Sequence, residues 1–482
     1  MPTRCLISDR ILILGALRPG AVAIRDGRII GVATDPDRRL AGELLALTPS
    51  EPNEVVEVED LGGAILAPAF VDAHTHLALH ALRGGAGPQE SRWNLVEDFF
   101  YRFEHGLTHD EVRAFARVGA MEALTHGTGL VFDHYFHGDA IAEALTDVGL
   151  TGVVAPTVQD LGGPFADAFE AGLEATVRLD SRAWRQRGIG AALGPHAMDT
   201  VSPDLWRRVN LIASQRRLPV HVHVAQSIDE VRRVSGRTGR SPVAELIHQE
   251  VLDAAPRTML IHGIYAPTRD LETLVGKRVD LGVCPHSAWV FGHPARVDEW
   301  ERLKLSWFVG SDCAASNDAL DVRGELRAIL GFSAMHGTWS RAYSDYLETG
   351  DLGAAEDAFR ARTDTRDRLS RLQAPDELLG LVTRVPGAIH PYITAGVIAP
   401  GSLANFTLWD PSHPCFWPGS DPVRALALAN PSPALLQVMT HGTWRGERGR
   451  YVESLRQSES WQAWIDEASA RLTERLNHVR LH

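Results

Sequence analysis

Short apolar runs alternate with amphipathic helical stretches from residue 68 to about residue 394, and this alternation most constrains the fold. Strands that alternate with helices predict an α/β fold built on parallel strands. Eight repeats of this unit favour a (β/α)8 TIM barrel. A doubly wound open sheet is the alternative, because alternation alone does not separate the two architectures. The strand candidates are "AFVDAHTH", "GTGLVFDHY", "TGVVAPTVQD", "GIGAALGPHA", "LPVHVHVAQ", "RTMLIHGIY", "VDLGVCPHS" and "KLSWFVGSDCAAS".

The two ends of the chain have a different pattern, in which β-branched runs are separated by glycine and Asp-Gly pairs. Asp26 and Gly27 stand between "AVAI" and "RIIGVA", a spacing typical of a two-residue hairpin turn. Strand-like segments return after residue 395, in "GSLANFTLWD" and "ALLQVMTHGTWRGERGRYV". We therefore predict a small β-sandwich built from residues 1–67 and 395–452, beside a barrel of residues 68–394. Residues 453–482 are predicted to form a C-terminal helix.

Charge and composition exclude several classes of protein. The net charge of −13 argues against a nucleic-acid-binding surface. No apolar run reaches the roughly 18 residues of a membrane span, and the N-terminal stretch does not resemble a signal peptide. The four cysteines are far apart and lack C-x-x-C spacing, which predicts reduced thiols. We therefore expect a cytoplasmic protein that acts on a small molecule, with neither a nucleic acid nor a membrane as partner.

Polar side chains end most of the predicted strands, where a barrel enzyme carries its active site. One H-x-H pair is expected about once by chance in a chain with 21 histidines among 482 residues. Histidines at or near the ends of five of the eight strands are far beyond that expectation. In strand order the residues are His74 and His76; Gln159 and Asp160; His196; His221, His223 and Gln226; His262 and Tyr265; His286; and Asp312.

The residue types indicate a metal centre. Side chains two positions apart on a strand point to the same side, so His74 and His76 can face the barrel axis together. Imidazole and carboxylate are ordinary ligands of a divalent transition metal, which lowers the pKa of a water molecule. An aspartate near that water can take its proton and pass it to a leaving group. His80 falls past the end of the strand, and we expect it to be exposed to solvent.

The chain resembles the amidohydrolase superfamily along nearly its whole length. The matching segments are "PAFVDAHTH", "THGTGLVFDHY", "GPHAMDTVSPDLW", "VHVHVAQS", "LIHGIYAPTRD", "CPHSAWVFG", "GSDCAASNDALDVRGELR" and "GVIAPGSLANFTLWD". They look most like the branch that holds s-triazine hydrolases and cytosine-type or S-adenosylhomocysteine-type deaminases. In the last segment, Asn405 replaces the usual aspartate, and we interpret this residue as structural.

The resemblance implies one divalent metal ion, zinc by default, with iron, manganese or cobalt compatible with the same ligand types. The implied metal ligands are His74, His76, His223 and Asp312. His262 matches the histidine that orients the attacking water, Asp312 the proton-shuttling base and His196 a substrate-contacting histidine. A non-catalytic relative would have lost such ligands, and all of them are present here. The resemblance is compatible with a homo-oligomer, which the sequence itself does not show.

Lysine content supports a single metal. Many members with two metals bridge them through a carboxylated lysine at a strand end. Lys277 and Lys304 are the only lysines of this chain, and neither lies at a suitable strand end. We therefore exclude a lysine-bridged pair of metals.

Gln226 departs from the pattern of the branch, whose deaminases usually carry glutamate there. A glutamine amide donates a hydrogen bond but does not relay a proton at neutral pH. We therefore predict hydrolysis of a non-peptide C–N bond in a small nitrogen-rich compound, with an amide, urea or carbamate preferred. The alternative is deamination or dechlorination of a heterocycle such as a pyrimidine, pterin, purine or s-triazine.

Aromatic side chains are candidates for the wall of the substrate pocket. Tyr265 and Trp289 fall in predicted loops that should face the pocket, and Trp93 stands in the segment after the first strand, close to Phe99 and Phe100. A role in packing is the alternative for this aromatic set. With His196 and Gln226, we predict that Tyr265, Trp289 and Trp93 contact the substrate.

Overall fold

The computed structural model describes residues 3–35, 56–85, 94–291, 293–338 and 340–479, with side chains for all of these except residues 332–338. The strands are β1 Thr3–Ile13, β2 Ala16–Arg25, β3 Arg28–Thr34, β4 Val56–Asp60, β5 Ile65–Pro68, β6 Phe70–Thr75, β7 Thr128–Tyr135, β8 Thr151–Val158, β9 Ile189–Ala191, β10 Gly194–Pro195, β11 Val220–Val224, β12 Thr258–His262, β13 Val279–Val283, β14 Ser306–Val309, β15 Phe406–Trp409, β16 Leu435–Thr440 and β17 Thr443–Arg445.

Helices connect most of these strands. They are α1 Tyr101–Glu104, α2 His109–Thr125, α3 Gly138–Val148, α4 Phe169–Leu179, α5 Arg182–Arg185, α6 Pro203–Arg216, α7 Ile228–Thr238, α8 Pro242–His248, α9 Val251–Ala254, α10 Thr268–Thr273, α11 Pro285–Val290, α12 Val297–Arg302, α13 Ala314–Asn317, α14 Glu325–Thr338, α15 Arg341–Thr349, α16 Leu352–Arg368, α17 Pro375–Gly380, α18 Arg384–Gly387, α19 Pro422–Leu428, α20 Tyr451–Arg456 and α21 Glu459–His478. Shorter turns occupy Leu77–Leu82, Val96–Phe100, Ala166–Ala168, Ser370–Gln373, Pro414–Phe416 and Ser432–Ala434.

Local sequence explains where several helices begin. Ser202 accepts a hydrogen bond from the Leu205 amide at 3.1 Å, and Pro203 occupies the first position of α6, as predicted. Thr108 and Glu111 form a reciprocal capping box at the start of α2.

The central strands form two parallel sheets in chain order. One contains β6, β7, β8 and β10, with β9 paired to β8, and the other runs from β11 to β14. Parallel bridges join Leu193 to Val220 and Ala197 to His223 at one edge, and Thr75 to Asp312 at the other. Sequential parallel order confirms the α/β class and disfavours the doubly wound alternative, in which the strand order reverses at a switch point. The carboxyl ends of all these strands therefore lie on the same side of the two sheets.

The two ends of the chain contribute to one further sheet of eight strands. Its path runs β17-β16-β15-β5-β1-β2-β3, and β4 pairs with β1. The predicted hairpin is confirmed: Arg25 pairs with Arg28 around Asp26 and Gly27, both of which have positive φ. The hydrogen bonds describe one sheet, and its division into two packed layers stays a prediction.

Asn405 links this sheet to the central strands. Its Nδ2 donates to the Gly129 carbonyl and to Thr151 Oγ1, both at 2.8 Å, and its Oδ1 accepts from the His441 amide at 2.7 Å. These three hydrogen bonds, two of them buried, support the structural role expected for this residue.

The C-terminal segment forms two helices rather than one. Ser458 caps the second helix, α21, after a break that follows α20. Trp461 and Ala468 face the interior. Among the described helices, none combines the length and the apolar composition that crossing a membrane requires.

Candidate metal centre and substrate cavity

Strand β6 delivers two histidines to one point. His74 is fully buried near the end of the strand, and His76 follows directly after it. Asp133 fixes this strand end, since its Oδ2 accepts from the Leu77 amide at 2.7 Å and from Thr75 Oγ1 at 3.0 Å. The direction of both imidazoles is thereby set by the neighbouring strand β7.

Each of three histidines uses its Nδ1 atom in a hydrogen bond. His76 Nδ1 donates to the His134 carbonyl at 2.5 Å, and His223 Nδ1 donates to the His196 carbonyl at 2.8 Å. His74 Nδ1 lies 2.8 Å from His221 Nε2. Occupied Nδ1 atoms leave the Nε2 atoms free, which is the arrangement that orients histidines toward a metal.

The free Nε2 atoms converge on the Asp312 carboxylate. Asp312 Oδ1 lies 3.4 Å from His76 Nε2 and 3.6 Å from His74 Nε2. His76 Nε2 and His223 Nε2 are 3.3 Å apart. Both Nε2 atoms carry lone pairs, because both Nδ1 protons point at carbonyls, so this close pair is not an ordinary hydrogen bond. A cation between them removes the conflict, and the set of three imidazoles and one carboxylate fits a divalent transition metal.

Burial favours the neutral form of the three histidines in the ligand set. Desolvation lowers the pKa of His74 and of His223 well below the ordinary value, and neighbouring histidines act in the same direction. Desolvation also lowers the pKa of His76, against the opposing effect of Asp312. Neutral imidazole is the form that binds a metal.

His262 and Asp312 occupy strained backbone positions at strand ends. Their φ angles are +77° and +67°, a region that side chains other than glycine rarely adopt. The Asp312 amide donates to the His74 carbonyl at 2.9 Å, and its carbonyl accepts from the His76 amide at 2.8 Å. Neither ring nitrogen of His262 has a hydrogen-bond partner in the described chain. Backbone strain of this kind is maintained where the position of a side chain matters.

Buried Cys284 also lies close to His262 and Asp312. Desolvation raises the pKa of its thiol well above the ordinary value. The thiol is therefore protonated when no metal is bound.

The predicted substrate residues His196 and Gln226 line an inner cavity of about 480 Å³ that His76, His223 and Asp312 also line. Both residues also line an outer cavity of about 860 Å³, together with Tyr265. The two cavities therefore connect at His196 and Gln226. Three of the five predicted substrate residues thus lie on the path to the metal-facing side chains.

The prediction for Trp289 was wrong. The segment after β13 is the helix α11 rather than a loop, and Trp289 is 46% exposed beside the His286 ring. Phe291, two residues later, lines the inner cavity instead. Residues two apart on a helix point about 200° apart, which explains the exchange. Trp93 lies outside the described residues, while Phe100 lines the inner cavity and Phe99 is buried.

Two further predictions concern His80 and the two lysines. His80 is largely buried and its Nδ1 lies 3.2 Å from Glu122 Oε2, so the prediction of a solvent-exposed residue was wrong. The short turn Leu77–Leu82 directs this side chain back onto α2. Lys277 and Lys304 are both exposed, in agreement with the exclusion of a lysine-bridged metal pair.

The interpretation of strand ends missed His134 and gave His221 no role. His134 lies at the end of "GTGLVFDHY", where the same rule would have found it. His221 lies two residues before His223 on β11, and only the structure shows its hydrogen bond with His74. His286 is engaged elsewhere, because its Nδ1 lies 2.6 Å from Glu325 Oε1.

We expect the His221→Phe variant to bind metal about 10- to 100-fold more weakly than the wild type, because the partner that orients His74 is lost. Competition against a chromophoric chelator measures the affinity. His390→Phe is the matched control, since His390 is also buried but makes no hydrogen bond to a proposed ligand in the described chain. Equal affinities for the two variants would contradict the orienting role.

Comparisons with known proteins show the family and the fold of this chain. A family model described as the amidohydrolase family matches residues 65–445. A 5-methylthioadenosine/S-adenosylhomocysteine deaminase from Syntrophobacter fumaroxidans is 32% identical over 311 residues, which is 64% of this chain and 67% of the relative. A 5'-deoxyadenosine deaminase from Methanothermobacter thermautotrophicus is 28% identical over 421 residues, 86% of this chain and 87% of the relative.

Two solved structures share the fold over nearly the whole chain. An adenosine deaminase from Xanthomonas campestris with bound zinc aligns with a TM-score of 0.76 and 20% identity, covering 99% of both chains. Atrazine chlorohydrolase from Arthrobacter aurescens, complexed with zinc, aligns with a TM-score of 0.73 and 20% identity, covering 98% of this chain and all of the other.

Proposed function

Because this chain belongs to the amidohydrolase family, we propose that it is a metal-dependent hydrolase that breaks an exocyclic C–N bond of a nitrogen heterocycle. One observation carries the proposal: three imidazole Nε2 atoms and the Asp312 carboxylate converge beside a cavity lined by aromatic side chains. The deaminase relatives support a heterocycle as substrate.

The ligand set supports one divalent metal ion, which we propose to be zinc. Imidazole and carboxylate suit zinc, and the two neighbouring solved structures contain it. Iron, manganese and cobalt are compatible with the same donors. A divalent cation held by His74, His76, His223 and Asp312 would lower the pKa of an attacking water molecule toward 7.

Asp312 and His262 are the proposed catalytic residues. The Asp312 carboxylate takes a proton from the attacking water and delivers it to the leaving nitrogen, which is the step that frees the amine. His262 orients the water through one ring nitrogen. Burial lowers the pKa of His262 to about 4, with Asp312 opposing, so the ring is neutral at neutral pH.

The cavity mouth favours a substrate with basic or N–H groups. Asp199, Glu97 and Asp229 line the outer cavity. Arg233, the one arginine among the described lining residues, pairs with Glu97 and Asp199, so acidic groups remain in excess. The Glu230 carboxylate accepts hydrogen bonds from the backbone amides of Ala225 and Gln226 at 3.0 and 2.8 Å. These bonds fix the loop that carries Gln226. An acidic entrance attracts amine-rich compounds.

Gln226 supports a second candidate function. A glutamine at this position donates a hydrogen bond to a ring nitrogen but supplies no proton. Hydrolysis of an amide, urea or carbamate needs protonation of the leaving nitrogen only, which Asp312 can perform. These substrates, which the sequence alone favoured, are therefore the second candidate.

We also propose a domain architecture, a cellular location and the kinds of partner for this protein. The parallel bridges at both edges of the central sheets support a closed (β/α)8 barrel of residues 68–394. We propose that residues 1–67 and 395–452 form the accompanying β-sandwich and that residues 453–482 are a helical C-terminal segment. We also propose a cytoplasmic enzyme with a small-molecule substrate, without nucleic-acid or membrane partners, and compatible with a homo-oligomer.

We expect the Gln226→Glu variant to release ammonia from amino-substituted heterocycles at least about 100-fold faster than the wild type, because glutamate adds the missing proton donor. A coupled ammonia assay with adenine nucleosides, pterins, aminopyrimidines and s-triazines measures this, beside chromatography for larger amines. Gln215→Glu, an exposed site on α6, is the control for added charge. Turnover of only amides, ureas or carbamates by both forms would select the second candidate, and no turnover with bound metal would overturn both.

A further inference from the structure

His134 is a buried histidine that the proposed catalytic set does not use. It lies near the end of β7 and is 1% exposed. Its Nδ1 lies 2.9 Å from Thr157 Oγ1, whereas its Nε2 has no hydrogen-bond partner in the described chain. Burial of an imidazole nitrogen without a hydrogen bond is costly, and a bound ligand would satisfy this atom.

Two of the proposed metal-binding histidines lie next to His134. Its ring centroid is 4.8 Å from that of His223 and 5.9 Å from that of His76. The ligand atoms of His76, His134 and His223 all lie within 4.8 Å of one another. His134 and Asp312 both line the inner cavity.

We propose that His134 is an additional ligand of the metal ion, on the side of the site formed by His76 and His223. The inference rests on the proposed metal-dependent function and deepens it. Thr157 holds Nδ1, which leaves Nε2 free to bind the cation, in the way that second partners orient metal-binding histidines. The ion then has one more imidazole than the set formed by His74, His76, His223 and Asp312.

His196 provides an internal comparison. It also ends a strand, lines the same cavity and has its Nδ1 2.9 Å from a threonine hydroxyl, that of Thr200. Unlike His134, it belongs to no group of converging ligand atoms in the described chain. We therefore infer that His196 contacts the substrate and that His134 binds the ion.

The test compares metal binding by the full-length wild type, His134→Gln and His196→Gln. Each protein is freed of metal by a chelator and titrated with Zn²⁺ and with Co²⁺ in competition with a chromophoric chelator. We expect His134→Gln to bind at least 10-fold more weakly and its cobalt absorption bands to change in position and intensity, because one ligand is lost. His196→Gln should keep the wild-type affinity and spectrum.

Thr157→Val keeps His134 in place but removes the partner of its Nδ1, and we expect a smaller loss of affinity in the same direction. This variant decides the outcome if His134→Gln does not fold, as judged by circular dichroism. Wild-type affinity and spectrum in the folded His134 variant, or in Thr157→Val when it alone folds, would overturn the proposal and leave the proposed function standing. Failure of the wild type itself to bind either metal would instead overturn the proposed function and this inference together.

Discussion

The Asp312→Asn variant is expected to lose at least about 1,000-fold in kcat/KM at saturating metal. Asparagine preserves the volume of the side chain but removes the negative charge and the ability to take a proton, and general-base groups contribute roughly 100- to 10,000-fold. The Asp312 carboxylate lies 3.4 Å from His76 Nε2, so the substitution weakens metal binding as well. Steady-state kinetics over a range of added metal separates the two effects.

Asp318→Asn is the matched control for this substitution. Asp318 lies six positions further along the same connection, and its Oδ1 accepts from the Gly84 amide at 3.1 Å, a role that asparagine also performs. We expect that variant to keep near-wild-type activity. An Asp312→Asn enzyme that retained more than a tenth of the wild-type rate at saturating metal would exclude the proton-transfer role.

Removal of the metal is expected to abolish activity and to lower the thermal midpoint by several degrees. The Nε2 atoms of His74 and of His262 are buried without partners in the described chain, so an apo site leaves them unsatisfied. An ion present at about 1,000 times its Kd contributes roughly 4 kcal/mol to the free energy of unfolding. Chelator dialysis followed by calorimetry and activity assays measures both losses, and added zinc should restore them.

The His223→Gln variant tests whether these effects come from this site. It should behave like chelator-treated wild type and respond little to added chelator or zinc. A variant that still lost several degrees on chelation would place the stabilising ion elsewhere. Undiminished wild-type activity after complete metal removal would contradict the metal-dependent mechanism.

The sequence alone determined the alternation of strands and helices and predicted the candidate site residues. Apolar runs alternating with helical stretches predict parallel strands, and the residues that end those strands share one side of the fold. Their positions made His74, His76, His223, His262 and Asp312 candidates without coordinates, and the resemblance to the amidohydrolase superfamily implied their roles. Both the hairpin at Asp26-Gly27 and the start of α6 at Ser202-Pro203 follow from local conformational preference.

Tertiary structure decided the features that depend on contacts between distant strands. The hydrogen bonds between Asp312 and the end of β6 join residues more than 230 positions apart, and they set which imidazole nitrogens meet the carboxylate. The pairing of His74 with His221 and the position of His134 arise in the same way. Trp289 lies on the helix α11, where the sequence predicted a loop, and this helix sets the direction of its side chain. Residue type and strand period are local properties, whereas the convergence of ligand atoms depends on how distant strands pair.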